Sequence, residues 1–147
     1  MISVLTEVAD GDVTAVSSTV EEFVKTAMNR GGVEDGTVTV ILTNDQTLRE
    51  LQLRFREKNE FTDVLAFRLD SGKSEPMEGE IYISVERATE NSKKYGVSLA
   101  DELSRLIFHG CLHLAGHKDS TQIEKTEMRQ LEDQLLEQAA VGSLLKH

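Results

Sequence analysis

The chain has 147 residues, of which 39% are hydrophobic and 29% are charged, a composition typical of one globular domain with a single core. Its net charge of -10 argues against broad nonspecific binding to nucleic acid, which depends on many lysine and arginine contacts with phosphate. No apolar run is long enough to span a membrane, the first residues do not resemble a signal peptide, and Cys111 is the single cysteine. We therefore expect one cytoplasmic domain, residues 1–147, that does not bind a membrane.

The first 43 residues predict a strand, a helix and a second strand. The segment MISVLTEV, residues 1–8, is apolar and partly β-branched, as strands often are. Apolar residues then recur at helical spacing as far as Gly31, and Asp12 is the predicted cap at the amino end of this helix. Residues 36–43, GTVTVILT, alternate in polarity and predict the second strand.

The middle of the chain predicts a helix followed by a β-hairpin. The helix spans residues 44–59, with Asn44 or Asp45 as its cap. The segment TDVLAFRL predicts a third strand, and a loop with the only proline, Pro76, separates it from a fourth strand, GEIYISV. We expect these two strands to pair with each other.

The remaining sequence predicts three helices. The first covers residues 86–96, and the second covers residues 98–116 and is apolar enough to be buried. The third covers residues 120–145 and begins with Thr121 and Glu124 at the spacing of a capping box. The order β-α-β-α-β-β-α-α-α predicts an α+β fold, in which about five helices cover a mixed sheet of about four strands, mostly on one side.

The stretch FHGCLHLAGHKDS, at the end of the central predicted helix, predicts a metal site. His109 and His113 are one helical turn apart, so their imidazoles can converge on one ion. Gly116 then ends the helix, and the returning chain can bring the carboxylate of Asp119 to the same ion. Three protein ligands leave a fourth position of Zn²⁺ for water, whose pKa the ion lowers from about 9 towards 7. Two histidines and one carboxylate also bind Fe(II), so the sequence supports an ion more firmly than it supports zinc.

Two neighbouring side chains offer alternatives around this site. His117 is a rival third ligand, although it directly follows the turn glycine, and the spacing favours Asp119. Glu102 lies two turns before His109, where it either orients that histidine or pairs with Arg105. Cys111 points away from the histidine face by helical phase, so we expect it to pack in the core.

Position 110 distinguishes this motif from that of a zinc protease. The spacing H-x3-H-x2-G-x2-D matches the metzincin pattern with aspartate in the last position. Metzincins place their general-base glutamate next to the first histidine, whereas this chain has Gly110. The motif therefore offers an ion and a water without the base that peptide hydrolysis needs.

Several segments resemble the YbeY family. HGCLHLAGHKD is similar to that family's signature H-G-x-L-H-L-x-G-Y-D-H, and FREKNEFTDVLAFRL resembles its arginine-containing segment that ends in T-D-V-L-S-F. GEIYIS and DELSRLIFHG are similar to two further family motifs. On this resemblance the metal ligands are His109, His113 and, where the family has a third histidine, Asp119. The family's tyrosine and aspartate fall on His117 and Lys118, so the metal's identity and the third ligand are the points at which this chain departs.

The resemblance also draws attention to Arg56, which falls on a basic position of the family. Residues 49–68 carry five cations and four acids, so this stretch has a net charge of +1 in an acidic chain. A guanidinium is a planar set of donors that suits phosphate oxygens, so Arg56 is the candidate catalytic residue that holds a scissile phosphate. The alternative is a surface salt bridge from Arg56 to Glu57 or Glu60.

The resemblance implies a metal-dependent endoribonuclease that is specific for single strands and takes part in rRNA maturation and ribosome biogenesis. It implies one Zn²⁺ per chain, single-stranded RNA or rRNA as substrate, and the small ribosomal subunit or assembly factors as partners. Two alternatives stay open on the sequence. One is a metzincin-like metalloprotease, and the other is a non-catalytic assembly factor with a structural metal.

Overall fold

The computed structural model describes residues 1–9, 13–71 and 76–146. Within these ranges the chain forms a four-stranded sheet and five α-helices, which confirms the predicted α+β fold. The elements, in chain order, are β1 (Ile2–Val8), α1 (Ser17–Arg30), β2 (Gly36–Thr43), α2 (Asp45–Arg56), β3 (Val64–Arg68), β4 (Met77–Ser84), α3 (Val85–Tyr95), α4 (Leu99–Leu114) and α5 (Gln122–Gln138). In these ranges no helix is both long and apolar enough to cross a membrane.

The sheet is mixed and has the strand order β1-β2-β4-β3. Strands β1, β2 and β4 run parallel, whereas β3 pairs antiparallel with β4, which confirms the predicted hairpin. In this register Ala66 lies opposite Ile81 and Leu65 lies opposite Tyr82. Strand β3 is consequently an edge strand, and one side of it is available to border a cleft.

The main core lies between one face of the sheet and helices α1 and α4. Val40 and Ile81 point from the sheet into this core, and Val24 and Phe108 point into it from the helices. The rings of Phe23 and Phe108 lie 5.3 Å apart between α1 and α4. Helix α4 is thus the buried central helix that its sequence predicted, and Cys111 lies in its buried surface, as expected.

Helix α2 is the exception to the one-sided cover. Side chains of a strand alternate between its two faces, so Tyr82 points away from the core that Ile81 faces. The ring of Phe67 lies 6.0 Å from that of Tyr82, and the ring of Phe55 lies 5.6 Å from that of Phe67. Helix α2 therefore packs on the second face of the sheet, beside the β3 edge.

Side-chain caps fix the starts of α2 and α5. The carboxamide of Asn44 accepts a hydrogen bond from the Thr47 amide at 2.8 Å, so Asn44 is the cap of α2. Thr121 and Glu124 form the predicted capping box of α5. Helix α1 instead begins at Ser17 with Val16 in the cap position, and the predicted cap Asp12 lies outside the described residues. These caps satisfy amide groups that a helix leaves without partners in its first turn.

Helix α4 approaches β4 so closely that glycine is needed at the contact. A Cβ atom on Gly110 would lie 2.7 Å from Cγ2 of Ile81, and one on Gly79 would lie 2.7 Å from Cδ1 of Leu114. Both distances are shorter than van der Waals contact, so a side chain at either position would displace the buried side chain of Ile81 or Leu114.

We expect Gly110→Ala to destabilise the fold. The methyl group gains about 1 kcal/mol of helix propensity, but overpacking a buried contact costs about 1–3 kcal/mol, and Ile81 is fully buried. Urea denaturation should show a net decrease in the free energy of unfolding. Gly142→Ala is the matched control, since no atom lies within 4 Å of a Cβ there. Equal stability of the two variants would contradict the close packing of α4 on β4.

Candidate metal centre

The two histidines of α4 and Asp119 come together at the end of that helix. Nε2 of His109 and Nε2 of His113 are 3.1 Å apart. Oδ2 of Asp119 lies 3.4 Å from the first and 3.3 Å from the second of these atoms. Zinc bonds of about 2.0–2.1 Å in a tetrahedron place neighbouring donor atoms about 3.3 Å apart. The three donors are therefore spaced as three corners of such a tetrahedron, and the residues fit a divalent ion.

A tight turn after α4 brings Asp119 back to the histidines. The amide of Gly116 donates to the carbonyl of His113 and the amide of His117 donates to that of Leu112, each at 3.0 Å. Gly116 has φ of +102°, a left-handed conformation that glycine adopts without strain. In the described part of the chain the metal-ligand cluster consists of His109, His113 and Asp119, and His117 is not part of it. This geometry favours Asp119 over His117, and the ligand set itself stays a prediction.

Glu132 of α5 is a site residue that the sequence analysis missed. Its Oε2 atom lies 2.7 Å from Nδ1 of His109, and its Oε1 atom accepts a hydrogen bond from Nη1 of Arg105 at 2.9 Å. Arg105 also donates to Asp133 at 2.7 Å. The sequence left two roles open for Glu102, namely orienting His109 and pairing with Arg105, and Glu132 fills both. Glu102 instead accepts a hydrogen bond from Asn91 at 3.2 Å. The direct contacts with His109 and Arg105 are made by Glu132 and not by Glu102, because α5 brings a closer carboxylate.

The sequence did hold a weak signal for Glu132. Met128 and Leu135 are buried, and Glu132 lies between them at helical spacing on the same face of α5. Only 5% of Glu132 is exposed. An acidic residue on the apolar face of an amphipathic helix needs a buried partner, because an unpaired buried charge is costly. The partners, Arg105 and His109, could not be identified before the packing of α4 against α5 was known.

The surroundings of the two histidines shift their pKa values in opposite directions. Burial lowers the pKa of His109, but the hydrogen bond and charge of Glu132, together with Asp119, outweigh burial and raise it. Burial and the neighbouring His109 lower the pKa of His113. When Nδ1 of His109 donates to Glu132, the lone pair on Nε2 remains directed at the cluster, which is the tautomer that a metal ligand requires.

The cluster opens into a cleft of about 420 Å³ that also contains Arg56. Its lining includes the clustered side chains of His109, His113 and Asp119. It also includes Arg56 from α2 and Arg68 from β3. The two arginines differ in their partners. Arg68 donates to both carboxylate oxygens of Asp70 and to the carbonyl of Leu114.

Arg56 is exposed and lacks an acidic partner within the described residues. Its guanidinium donates to the Ala66 carbonyl at 3.4 Å and lies 5.6 Å from the centre of the Phe67 ring. The alternative salt bridges to Glu57 or Glu60 do not form in the described ranges. The donors of Arg56 are thus available to an anion in the cleft.

Comparison with known proteins places the chain in a family. A family model described as Endoribonuclease YbeY matches residues 3–140. The chain belongs to the YbeY family. An Endoribonuclease YbeY from Chelativorans sp. is 36% identical over 128 residues, which cover 84% of this chain and 78% of that protein. One from Bacillus cereus is 32% identical over 139 residues, which cover 87% of this chain and 89% of that protein.

A solved structure has the same fold. It is the solution structure of TM1509 from Thermotoga maritima, which is 27% identical in sequence and superposes with a TM-score of 0.61. The match covers 93% of this chain and 87% of that protein. The resemblance that the sequence motifs indicated is therefore confirmed over nearly the whole chain.

We expect one equivalent of divalent metal per chain, held by the three clustered side chains. His109→Ala, His113→Ala and Asp119→Ala should each lose stoichiometric metal, because each removes one of three protein ligands. Elemental analysis after gel filtration measures the content, and circular dichroism checks folding. His117→Ala is the matched control and should keep its metal. Loss of metal in His117→Ala together with retention in Asp119→Ala would overturn the assignment of the third ligand.

Glu132→Gln should weaken metal binding without removing a ligand. The amide keeps a hydrogen-bond acceptor for His109 but loses the charge, and loss of a partner that orients a ligand typically costs about 10–100-fold in metal affinity. Competition with a chromophoric chelator measures the affinity. Asp133→Asn is the control, because Asp133 bonds to the same Arg105 but not to His109. Equal affinities of Glu132→Gln and wild type would show that Glu132 has no influence on the site.

Proposed function

We propose that this protein is a metal-dependent endoribonuclease that cleaves single-stranded RNA during rRNA maturation. His109, His113 and Asp119 hold one ion, which we take to be Zn²⁺, and Arg56 binds the phosphate at which the chain is cut. The observation that carries the proposal is the spacing of the three donor atoms, 3.1 to 3.4 Å, in a cleft that also contains Arg56. Membership of the YbeY family supports the same reaction.

The chemistry that such an ion supplies is Lewis acidity towards a phosphoryl oxygen and a lowered pKa for a water in its open position. The side chains of the protein do the remaining work. Arg56 offers a planar set of donors to the phosphate and stabilises the charge that develops there. Glu132 keeps Nε2 of His109 directed at the cluster, and the edge of β3 forms one wall of the cleft. The attacking oxygen comes either from water or from the RNA 2'-hydroxyl, and a product that ends in a 2',3'-cyclic phosphate would identify the second route.

A metalloprotease of the metzincin kind is disfavoured at one position. Such enzymes need a glutamate beside the first histidine, where this chain has Gly110. A Cβ atom at that position would lie 2.7 Å from Ile81. The packing of α4 on β4 therefore excludes the protease's general base, and the family relationship gives no reason to invoke that activity.

The acidic surface has a consequence for how the enzyme finds its substrate. With a net charge of -10 the chain as a whole repels RNA. We take targeting to depend on protein partners of the cytoplasmic ribosome-assembly machinery, such as the small subunit or its assembly factors. The chain then acts as one domain, residues 1–147, whose cleft supplies the local contacts with RNA. A non-catalytic assembly factor with a structural metal would bind the same partners but would not turn over RNA.

Arg56→Ala should reduce cleavage while metal content stays at one equivalent. Loss of a charge-assisted contact with the phosphate, typically about 1.5–3 kcal/mol, corresponds to about 10–100-fold in kcat/KM. A labelled single-stranded oligonucleotide and rigorously purified protein provide the assay. His113→Ala should abolish cleavage together with metal binding.

Arg54→Ala is the matched control for Arg56→Ala. Arg54 belongs to the same helix and stacks on Phe55, but it does not line the cleft. It should keep the wild-type rate. Wild-type cleavage in both Arg56→Ala and His113→Ala would identify the nuclease as a contaminant and would remove the proposed function.

A further inference from the structure

A second cleft lies on the other side of the metal-ligand cluster. It has a volume of about 630 Å³ and is lined by residues of α3, α4 and α5. The two clefts share four lining residues, namely Asp63, Val64, His109 and Asp119. Each has the size of a typical small-ligand site, about 300–1,000 Å³. The metal-ligand cluster therefore lies at the boundary of two adjoining clefts.

The acidic groups of this second cleft already have partners. Glu132 accepts a hydrogen bond from Arg105 and pairs with His109. Asp63 and Glu102 each accept a hydrogen bond from the carboxamide of Asn91, at 3.1 and 3.2 Å. These carboxylates are thus engaged by the protein and compete little for a cation on the rim.

Two cations on the rim of the second cleft have no such partners. Lys125 and Arg129 lie one turn apart on α5 and are exposed. Within the described ranges neither side chain makes an ion pair or a hydrogen bond. Their spacing of four residues places both charges on the same face of the helix. A phosphate group of a substrate in this cleft would meet both of them.

An aromatic ring borders the same cleft. Tyr95, at the end of α3, is 60% exposed, and the neighbouring Val97 is 42% exposed. Exposed aromatic rings next to cations are the usual means by which proteins bind single-stranded nucleic acid, because every base can stack on a ring. A base that remains in a double helix would be stacked on its neighbours and unable to use Tyr95 in this way.

We propose that the second cleft is a nucleotide-binding subsite for single-stranded RNA. One RNA chain crosses the metal-ligand cluster, with the nucleotide on one side of the cleaved bond beside Arg56 and the nucleotide on the other side in the second cleft. Lys125 and Arg129 bind the phosphate of that nucleotide, and Tyr95 stacks on its base. This inference rests on the proposed function, and it gives a physical origin for a preference for single strands.

The first test removes both rim cations. Lys125→Ala/Arg129→Ala should raise KM for a single-stranded oligonucleotide about tenfold, with kcat and metal content near wild type. The slope of log affinity against log salt concentration should become less negative by about 1.4, because each lost contact with single-strand phosphate removes about 0.7. Lys25→Ala/Arg30→Ala, which makes the same charge change on α1, is the control. An equal effect of the two double variants would show that the change in KM comes from the net charge of the protein and not from these two positions. That result would overturn the subsite.

The second test concerns stacking and the length of the substrate. Tyr95→Ala should weaken binding about tenfold and Tyr95→Phe should not, because stacking of one base on a ring is worth about 1–3 kcal/mol. Shortening the oligonucleotide from each end in turn should lower kcat/KM of the wild type, and for one of the two ends the loss should make little further difference to Lys125→Ala/Arg129→Ala. Additive losses from both ends would show that the missing nucleotides bind elsewhere and would overturn the subsite.

Binding measured apart from cleavage separates this inference from the proposed function. Fluorescence anisotropy with a labelled single-stranded RNA and a chelator present reports affinity alone. If the wild type binds RNA but never cleaves it, the proposed function fails, and the two double variants still decide whether the second cleft binds RNA. If Arg56→Ala reduces cleavage as predicted while Lys125→Ala/Arg129→Ala binds and cleaves as wild type, the function stands and the subsite is wrong.

Discussion

The contact between α4 and β4 determines where the chemistry of this protein takes place. Gly110 and Gly79 each leave no room for a Cβ atom, so the helix lies directly on the strand. That contact directs His109 and His113 towards the β3 edge, where the sheet ends and a cleft begins. The same glycine that permits this packing occupies the position of a protease's general base. One steric constraint therefore both locates the candidate metal centre and limits the reactions that it could support.

Charge is distributed around the site in two layers. The inner layer consists of His109, His113 and Asp119, whose donor atoms are spaced for an ion. The outer layer consists of Glu132 and Arg105, which fix His109 from α5 and α4. The outer pair is largely shielded from water, so its hydrogen bonds hold the ring of His109 more firmly than exposed ones would. The orientation of His109 thus depends on α5, a helix that contributes none of the three clustered side chains.

The parts of the site that are local in sequence could be predicted, and the parts that depend on packing could not. The histidine spacing, the turn at Gly116 and Asp119 all lie within eleven residues of one helix and its turn. Glu132 belongs to another helix and was missed, and Glu102 was given its role because only the α4 sequence was considered. The hairpin of β3 and β4 followed from turn chemistry and alternation. The placement of α2 on the second face, where the rings of Phe55 and Phe67 lie 5.6 Å apart, joins residues that no periodicity relates. The caps of α2 and α5, Asn44 and Thr121, could be predicted because a cap bonds within the first turn of its own helix.

The two halves of the cleft differ in how the chain assembles them. The half with the candidate ligands is built by α4, its turn and α5, which follow one another directly along the chain. Arg56 reaches the cleft from α2, more than fifty residues before His109, and depends on the sheet edge for its position. Local contacts form with a smaller loss of chain entropy than distant ones. During folding the three candidate ligands can therefore come together in a helical hairpin before Arg56 reaches its place, so the cluster does not depend on the completion of the whole cleft.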